Sequence, residues 1–347
     1  MIPALLALIG RLALHDEVHV FALAQETNAG DWDLAGAHIH NIGLRQTHLR
    51  AVRAIARTHR ATPFDVIHSI WSGGCGLVAA VAARMLRTRS LIHVAGGELV
   101  SMPDIGYGGS RTWRGRLREA AVLRAVSIVT AASAPVIEAL ALRGIAAQRV
   151  PLGVDLEVWP PRGPIRRDGC RSARLLHVAS LNRVKDQSTL LLALAALSRS
   201  GTKYEMDVVG EDTLNGEVQA LAGQLRLLNT VRFHGFLTQR QLRPLVEAAD
   251  IMVLASRHET GPVVALEAAL VGVPTVGTAV GHIAEWSPDA ALAVPVRDPA
   301  RLAAAIRQLL DDEDLRLAMA HEALKRAVLE NADHTAERFR ALYKGRP

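Results

Sequence analysis

The sequence predicts an α/β protein made of two doubly wound domains. Short apolar runs of strand length alternate with helical segments along most of the 347 residues, which is typical of parallel sheets covered by helices on both faces. A Pro-rich, charged stretch without periodicity interrupts this alternation once, from Val150 to Ser172. The length suits two domains, each with its own core. We therefore predict an N-terminal domain at 1–155, a linker at 156–172, a C-terminal domain at 173–330 and a final helix at 331–347 that is able to pack back on the N-terminal domain.

Each predicted element follows from its local pattern. Runs such as VHVFAL and DVIHSI are apolar and rich in β-branched residues, so they predict strands, and Ala-rich or basic segments with helical periodicity lie between them. In the first domain the predicted strands are 18–23, 37–42, 65–70, 90–95 and 127–132, and the predicted helices are 3–14, 44–60, a segment ending at 87, a segment ending at 125, and 134–143. In the second domain the predicted strands are 174–179, 205–209, 231–234, 251–255, 274–278 and 292–294, with helices between them and at 299–310, 313–329 and 335–343.

Composition and charge favour anionic partners. The formal net charge of +6 and the pI of about 9.9 suit a nucleotide diphosphate, an anionic membrane surface or nucleic acid. Aromatic residues make up only 4% of the chain and no RNA- or DNA-binding motif is visible, so we expect no nucleic-acid partner. Cys75 and Cys170 lie far apart without metal-ligand spacing, as expected of a reduced, cytoplasmic protein. No apolar run of about 20 residues is present, so no membrane-spanning helix is expected.

One predicted helix carries a row of arginines. They recur at spacings of three and four residues, which places them on one helical face: Arg50, Arg53, Arg57 and Arg60. The whole predicted helix lacks an acidic residue that would neutralise them. Two interpretations are open, an ordinary solvated face or a peripheral contact with anionic lipid or a phosphorylated acceptor.

The most informative stretch runs from Ser256 to Pro274. The apolar run 251–255 before it predicts a buried parallel strand, and the helical run 263–271 within it carries Glu267 as its only charge. A strand, a polar loop and a helix N-terminus in this order place the loop at the carboxyl end of a parallel sheet, where ligands bind and free N–H groups face anions. Glu259 in the loop and Glu267 can point into one crevice. A Glu on an apolar helix face needs a hydrogen-bonding partner, and a sugar or ribose hydroxyl would serve.

Spacing alone leaves a structural interpretation open, in which the polar loop and Glu267 are ordinary features of an α/β protein. The stretch also resembles the E-x7-E signature of retaining glycosyltransferases of family 4, which have the GT-B fold. The flanking sequence fits in order, with VRFHGFL at 231–237, AADIMVLAS at 248–256 and GVPTVGTAVGHIAE at 272–285. This resemblance covers most of the C-terminal half. It implies two Rossmann-like domains that face each other across a cleft.

The resemblance implies a donor site built from several loops. The segment HVASLNRVKD is similar to the family segment in which a basic pair binds the donor diphosphate. Lys185 matches the family lysine, Ser180 stands in place of the family arginine, and Arg183 is a candidate replacement. Gly210 matches a strand-end glycine near the nucleotide, and Phe236 lies in the region that holds the base. For each basic residue, a solvated loop charge is the alternative.

Within the signature, the resemblance assigns Glu267 to the donor ribose and Glu259 to the donor sugar, as a catalytic residue. The loop and the first helical turn are expected to present backbone N–H groups to sugar and phosphate, from Thr260, Gly261, Val263 and Val264. In this family the acceptor hydroxyl is thought to attack on the face from which the diphosphate departs, so no protein nucleophile, metal ion or cofactor is required. The protein positions the reactants and stabilises charge on the leaving phosphate.

The N-terminal domain departs from the family pattern at two places. Family members carry a histidine–glycine pair after one strand, where this chain has Ala95-Gly96, and His93 lies too deep in its strand to substitute. Glu98 matches an acidic residue often found there, and we expect it to act in catalysis by contacting the acceptor or the donor sugar. The family also begins with a strand and a glycine-rich loop, whereas this chain starts at the helix 3–14. We expect a late-start fragment, or a variant whose sheet closes the gap, with donor binding retained and transfer weak or absent.

Together these observations predict a retaining, hexosyltransferase-type glycosyltransferase. Its expected donor is a nucleotide-diphosphate sugar of the UDP or GDP type, and the sequence does not indicate which acceptor it uses. Three alternatives remain: a non-catalytic sugar-nucleotide-binding protein, a weakly active homologue without the first strand, and a nucleotide-sugar epimerase of the same fold. The absence of a G-x-G-x-x-G after any predicted strand argues against a nicotinamide enzyme.

Overall fold

The computed structural model describes residues 3–168 and 171–345, and it contains two compact units. The first unit joins the N-terminal segment up to Asp155 to the C-terminal segment from Glu330, and the second runs Leu156–Leu329. Cys170 lies outside the described residues. Within the described residues, every helix is too short or too polar to cross a bilayer.

The first unit alternates strands and helices, with two short 3₁₀ turns in the loop before its fourth helix. Its strands are β1 (His19–Ala22), β2 (Gly30–Leu34), β3 (Ala37–Asn41), β4 (Val66–Ile70), β5 (Arg89–Val94), β6 (Ile128–Ala131) and β7 (Gln148–Arg149). Its helices are α1 (Pro3–Ala13), α2 (Thr47–Ala61), α3 (Gly74–Leu86), α4 (Trp113–Ala125), α5 (Ala134–Ala141) and, from the C-terminal segment, α13 (Ala332–Tyr343). The five strands and the helices predicted for this part of the chain are confirmed, with ends that shift by a few residues. The two-residue strand β7 was not predicted.

The strands of the first unit form two sheets, ordered β1-β3-β2 and β4-β5-β6-β7. Within the described residues, β1 pairs only with β3 and β4 pairs only with β5, so one ladder edge of each strand is unpaired. Each residue of β1 keeps partial exposure, whereas a strand in the middle of a doubly wound sheet is buried on both faces. The absence of the family's first strand and of its glycine-rich loop stays a prediction.

The hairpin β2–β3 corrects the expectation of an all-parallel sheet. The two strands pair antiparallel, from Gly30 opposite Asn41 to Leu34 opposite Ala37. The turn between them has positive φ at both central residues, 53° at Ala35 and 80° at Gly36, as in the two-residue turns whose twist suits a hairpin. The strand was missed because its sequence GDWDL is mostly exposed and contains no apolar run. The glycine before β3 was the available signal.

Helix α13 packs against α1 in the first unit. Its Phe339 is fully buried in a cluster with Leu8 and Leu12 of α1. Arg11 on α1 fixes the register, because its guanidinium donates to Asp155 at 2.7 and 2.8 Å and to Asp333 at 3.0 Å. The C-terminal helix therefore completes the core of the first unit.

The second unit is a single parallel sheet with the strand order β10-β9-β8-β11-β12-β13. The strands are β8 (Ala173–Val178), β9 (Tyr204–Val209), β10 (Val231–Gly235), β11 (Ile251–Leu254), β12 (Thr275–Thr278) and β13 (Ala291–Val294), which confirms all six predicted strands. The helices are α6 (Gln187–Arg199), α7 (Glu217–Gln224), α8 (Gln239–Ala248), α9 (Val263–Leu270), α10 (Gly281–Trp286), α11 (Pro299–Asp311) and α12 (Glu313–Leu329). The order reverses between β8 and β11, because the chain adds strands on one side of β8 and then on the other.

The stretch predicted as a linker, 156–172, packs onto the second unit where it is described. Trp159 is 1% exposed, and the Arg162 backbone N–H donates to the Leu270 carbonyl at 2.7 Å. Arg171 holds the carboxylate of Asp250 with two hydrogen bonds of 2.7 Å. These contacts explain why a segment without periodicity is still ordered.

We expect the first unit to lose stability as the pH falls below neutrality. Burial lowers the pKa of both His68 and His93 to about 3, from an ordinary value of 6.5. Between these values the unfolded chain binds protons that the folded chain does not, so the free energy of unfolding falls as pH is lowered through this window. Urea unfolding measured from about pH 7 to about pH 5 should show a falling midpoint, and His68→Phe should reduce the fall. A midpoint independent of pH would contradict this account.

Candidate functional site

The candidate site lies where the strand order of the second unit reverses. The loops after β8 and β11 leave the carboxyl ends of two neighbouring central strands, which is where ligands bind in open parallel sheets. Lys185 from the first loop and Glu259 from the second form an ion pair, with 2.5 Å between Nζ and Oε1. Ser256 Oγ donates to the same carboxylate oxygen at 2.7 Å. The structure thus brings together two residues that the sequence singled out separately.

A buried histidine ties the two strands together beneath this pair. His177 on β8 is fully buried, and its Nδ1 lies 2.8 Å from the carbonyl of Val253 on β11. Burial lowers the pKa of His177 to about 4, so the ring is neutral near pH 7 and its Nδ1–H donates to that carbonyl. Gln187 completes the network, because its Nε2 donates to His177 Nε2 at 3.2 Å and to the Ser180 carbonyl at 3.1 Å. No pattern in the sequence indicated this role of Gln187.

The backbone around Lys185 is held by several short-range bonds. Asn182 Oδ1 accepts hydrogen bonds from the backbone N–H groups of Val184 and Lys185, at 3.2 and 3.1 Å. The Arg257 N–H in the second loop donates to the Val184 carbonyl at 2.7 Å. Asp186 then caps α6, with its carboxylate accepting from the backbone and hydroxyl of one threonine. The lysine is therefore presented from a fixed turn.

The start of α9 lies in the second loop, next to Glu259. Its N-cap residue is Pro262, which supplies no side-chain cap. The first N–H groups of a helix have no partner within the helix and carry partial positive charge, so those of Val263 and Val264 are suited to an anion. Thr260 is buried and Gly261 half-buried, which places the predicted backbone donors within an ordered loop.

Glu267 lies within α9 and is only 5% exposed. Its Oε1 accepts a hydrogen bond of 2.9 Å from Gln239, and Trp159 Nε1 in turn donates to Gln239 at 2.8 Å. Burial raises the pKa of Glu267, and the bond from Gln239 acts in the opposite direction. Within the described residues Glu267 makes no hydrogen bond to Lys185 or Glu259. Gln239 was missed because it comes from α8, 28 residues away.

Three further predicted residues lie in the loops at the same end of the sheet, outside the hydrogen-bond network around Lys185 and Glu259. Gly210, at the end of β9, has φ of 151°, and a Cβ there would lie 2.0 Å from the Ala179 carbonyl oxygen, so only glycine fits. Arg183 forms an exposed ion pair with Glu217 at 2.8 Å. Phe236 is 75% exposed just after β10.

Glu98 lies in the first unit, inside the loop after β5. It is 8% exposed, its Oε1 accepts from the Ser72 N–H at 3.3 Å, and its Oε2 is buried without a hydrogen-bond partner among the described residues. Ser72 also donates through its hydroxyl to the buried carboxylate of Glu119, whose pKa is raised by burial. The neighbouring Trp71 has φ of 73°, an uncommon conformation for a bulky residue. His93 is buried against Thr130, as its position in the strand implied.

The four arginines of α2 are all exposed. Three of them line a cavity of about 570 Å³ together with Asp31 and His40: Arg50, Arg53 and Arg57. Asp31 accepts a hydrogen bond of 2.6 Å from His40 Nδ1. Within the described residues none of the four arginines forms an ion pair with a carboxylate.

The chain forms two α/β units, and in the second a lysine and a helix N-terminus lie where the strand order reverses. This combination is that of a protein of the GT-B class. A family model of the glycosyl transferase 4-like domain matches residues 3–153, and a model of glycosyl transferases group 1 matches residues 171–326. A D-inositol 3-phosphate glycosyltransferase 1 from Catenulispora acidiphila is 30% identical over 308 residues, which covers 81% of this chain and 72% of that protein. The chain belongs to the glycosyltransferase family that these models describe.

Other similar proteins cover less sequence or share only the fold. A glycogen synthase from Mycobacterium tuberculosis is 34% identical over 176 residues, which is 50% of this chain and 42% of that protein. Sucrose-phosphate synthase from Thermosynechococcus elongatus superposes with a TM-score of 0.78 at 21% identity, covering 97% of this chain and 91% of that one. Anabaena HepE in complex with UDP-glucose superposes with a TM-score of 0.76 at 17% identity, covering 99% and 96%. These likenesses show the GT-B fold.

Replacing Gly210 should destabilise the second unit without touching a charged group. A Cβ at this position meets the Ala179 carbonyl, so Gly210→Ala should cost about 3 kcal/mol or more and lower the melting temperature by about 6 °C or more. Gly223→Ala is the matched control, because Gly223 lies on α7 and its Cβ would make only an ordinary contact, 3.7 Å from Leu228 Cδ1. That variant should unfold at the same temperature as the wild type or slightly higher. Equal melting of both variants would show that the β9 turn is not constrained.

Proposed function

We propose that this protein is a retaining, hexosyltransferase-type glycosyltransferase that transfers a sugar from a nucleotide-diphosphate sugar of the UDP or GDP type to an acceptor. The observation that carries the proposal is the ion pair between Lys185 and Glu259 beside the start of α9, at the reversal of the sheet. A structural neighbour, HepE, was crystallised with UDP-glucose, which supports a donor of the UDP type.

The ion pair suits a site that exchanges one anion for another. In the free protein Glu259 neutralises Lys185, whose side chain keeps 25% exposure and remains reachable. A donor diphosphate takes the place of the carboxylate as the partner of Nζ, in a charge-assisted bond of about 1.5–3 kcal/mol. The first N–H groups of α9 add partial positive charge on the same side. Glu259 is then free to accept a hydrogen bond from a hydroxyl of the donor sugar.

Glu267 is assigned to the ribose of the donor. One of its carboxylate oxygens is occupied by Gln239, and the other has no hydrogen-bond partner among the described residues. A ribose hydroxyl would give this largely buried carboxylate a second hydrogen bond. Gln239 and Trp159 fix the carboxylate before the ligand arrives.

The transfer step needs no protein nucleophile. The acceptor oxygen forms its bond to the anomeric carbon on the face from which the diphosphate leaves, and the bond between that carbon and the phosphate oxygen breaks. The acceptor proton passes to the departing phosphate oxygen, so the configuration is retained and the atoms balance. Lys185 and the N–H groups of α9 stabilise the charge on the leaving diphosphate. The proposal requires no metal ion or cofactor.

The first unit is proposed to supply the acceptor side. Glu98 keeps a buried oxygen without a partner, which can accept a hydrogen bond from a hydroxyl or a bridging water. The arginines of α2 are exposed, and we propose that they bind anionic phosphate groups at a peripheral surface.

Two substitutions test the donor site by equilibrium titration. Lys185→Ala should weaken binding of UDP about 10-fold or more and leave binding of uridine nearly unchanged, because only the diphosphate contacts the lysine. Glu267→Gln should weaken both ligands about 10-fold, because the ribose loses a charged acceptor. Arg232→Ala is the matched control, since that arginine forms an exposed ion pair with Glu205 away from these loops.

Incubation with UDP-glucose, GDP-mannose and sugar acceptors separates the possible activities. A glycoside with the anomeric configuration of the donor supports the proposal. Binding without turnover indicates a sugar-nucleotide-binding protein or a weakly active homologue, and an epimerised donor indicates an epimerase. Unchanged affinity of UDP in both site variants would show that the donor site lies elsewhere.

A further inference from the structure

Three helices of the first unit form a continuous layer. Helix α3 packs against α2 on one side and α4 on the other. At Gly76 on α3 the layer approaches the sheet so closely that a Cβ would lie 3.1 Å from Ile92 of β5 and 3.2 Å from Val122 of α4. The outer side of this layer is called here the α2–α3–α4 surface.

The middle helix of this surface presents an apolar row to solvent. Leu77, Val81 and Met85 follow one another at four-residue spacing on α3, with exposures of 37%, 41% and 63%. On α4 the pair Trp113 and Leu117 repeats the spacing, with exposures of 60% and 61%. Single exposed apolar residues are ordinary, but rows on neighbouring helices mark a contact surface.

The three helices of this surface carry positive charge and no exposed carboxylate. Four exposed arginines lie on α2, one on α3 and four on α4: Arg50, Arg53, Arg57, Arg60, Arg84, Arg114, Arg116, Arg118 and Arg124. The three helices contain one carboxylate, Glu119, which is 4% exposed and bonded to Ser72. The acidic residue that shares the α2 cavity, Asp31, is engaged by His40.

We propose that the α2–α3–α4 surface docks the protein on an anionic lipid bilayer. Apolar side chains of α3 and α4 enter the interfacial region, while the arginines on either side face lipid phosphates, an arrangement typical of helices that lie on a membrane. Each arginine near an anionic surface contributes about fivefold to the partition coefficient. Nucleic acid does not account for the outward Leu, Val and Met side chains, and a small phosphate ester does not account for the width of the surface. The inference goes beyond sugar transfer and is independent of the donor site.

Sedimentation of the full chain with lipid vesicles tests this proposal. We expect binding to phosphatidylcholine vesicles that contain about 30 mol% phosphatidylglycerol, weak binding to pure phosphatidylcholine, and a loss of binding between about 0.1 M and about 0.5 M NaCl. Arg53→Glu with Arg57→Glu should lower binding by about 25-fold or more. Met85→Ser with Leu117→Ser should also lower binding at about 0.1 M NaCl, because polar side chains no longer enter the interfacial region of the bilayer.

A control with the same change of net charge separates this surface from overall charge. Arg199→Glu with Arg307→Glu alters exposed arginines of α6 and α11 in the second unit, and it should leave most of the vesicle binding intact. Equal losses in the two double variants would overturn the proposal. So would equal binding to neutral and anionic vesicles, or binding of duplex DNA or inorganic pyrophosphate without binding of vesicles. The UDP affinity of each variant, measured in parallel, should match that of the wild type. A failure of the vesicle experiment would therefore not contradict the proposed donor site.

Discussion

The contact between Lys185 and Glu259 is the interaction on which the functional account depends. Burying an isolated charge costs desolvation free energy. The ion pair offsets this cost because the two charges face each other and further hydrogen bonds hold each residue in position. Ser256 Oγ donates to the carboxylate, and Asn182 fixes the backbone of the lysine. The two loops meet only because β8 and β11 are neighbours at the reversal of the sheet. The topology of the second unit therefore places a cation, a carboxylate and a helix N-terminus together.

Buried polar groups around this contact make the arrangement rigid before any ligand binds. His177 stays neutral and joins the two central strands, and Gln187 links it to the loop that carries the lysine. Gln239 orients Glu267 in the same way, by donating a hydrogen bond to its carboxylate. Groups that are oriented in advance stabilise charge in a reaction without reorganising, and this is the main contribution that the proposed transfer step asks of the protein.

The sequence predicted most of the second unit because buried parallel strands appear as plain apolar runs between turn residues. The same rule failed for β2, whose sequence GDWDL alternates acidic and aromatic residues on an exposed edge. Lys185 and Glu259 were each expected at the site, but their ion pair joins residues 74 positions apart and required the fold. Gln187 and Gln239 could not be found, because an isolated glutamine has no pattern and its role depends entirely on its neighbours in space.

A crystal structure of the full chain with bound UDP would test the central claim most directly. The account predicts diphosphate oxygens within hydrogen-bonding distance of Lys185 Nζ and of the first N–H groups of α9, with a ribose hydroxyl on Glu267. In that state the bond between Lys185 and Glu259 is lengthened or broken. UDP bound elsewhere, for example beside the arginines of α2, with the ion pair intact, would contradict it.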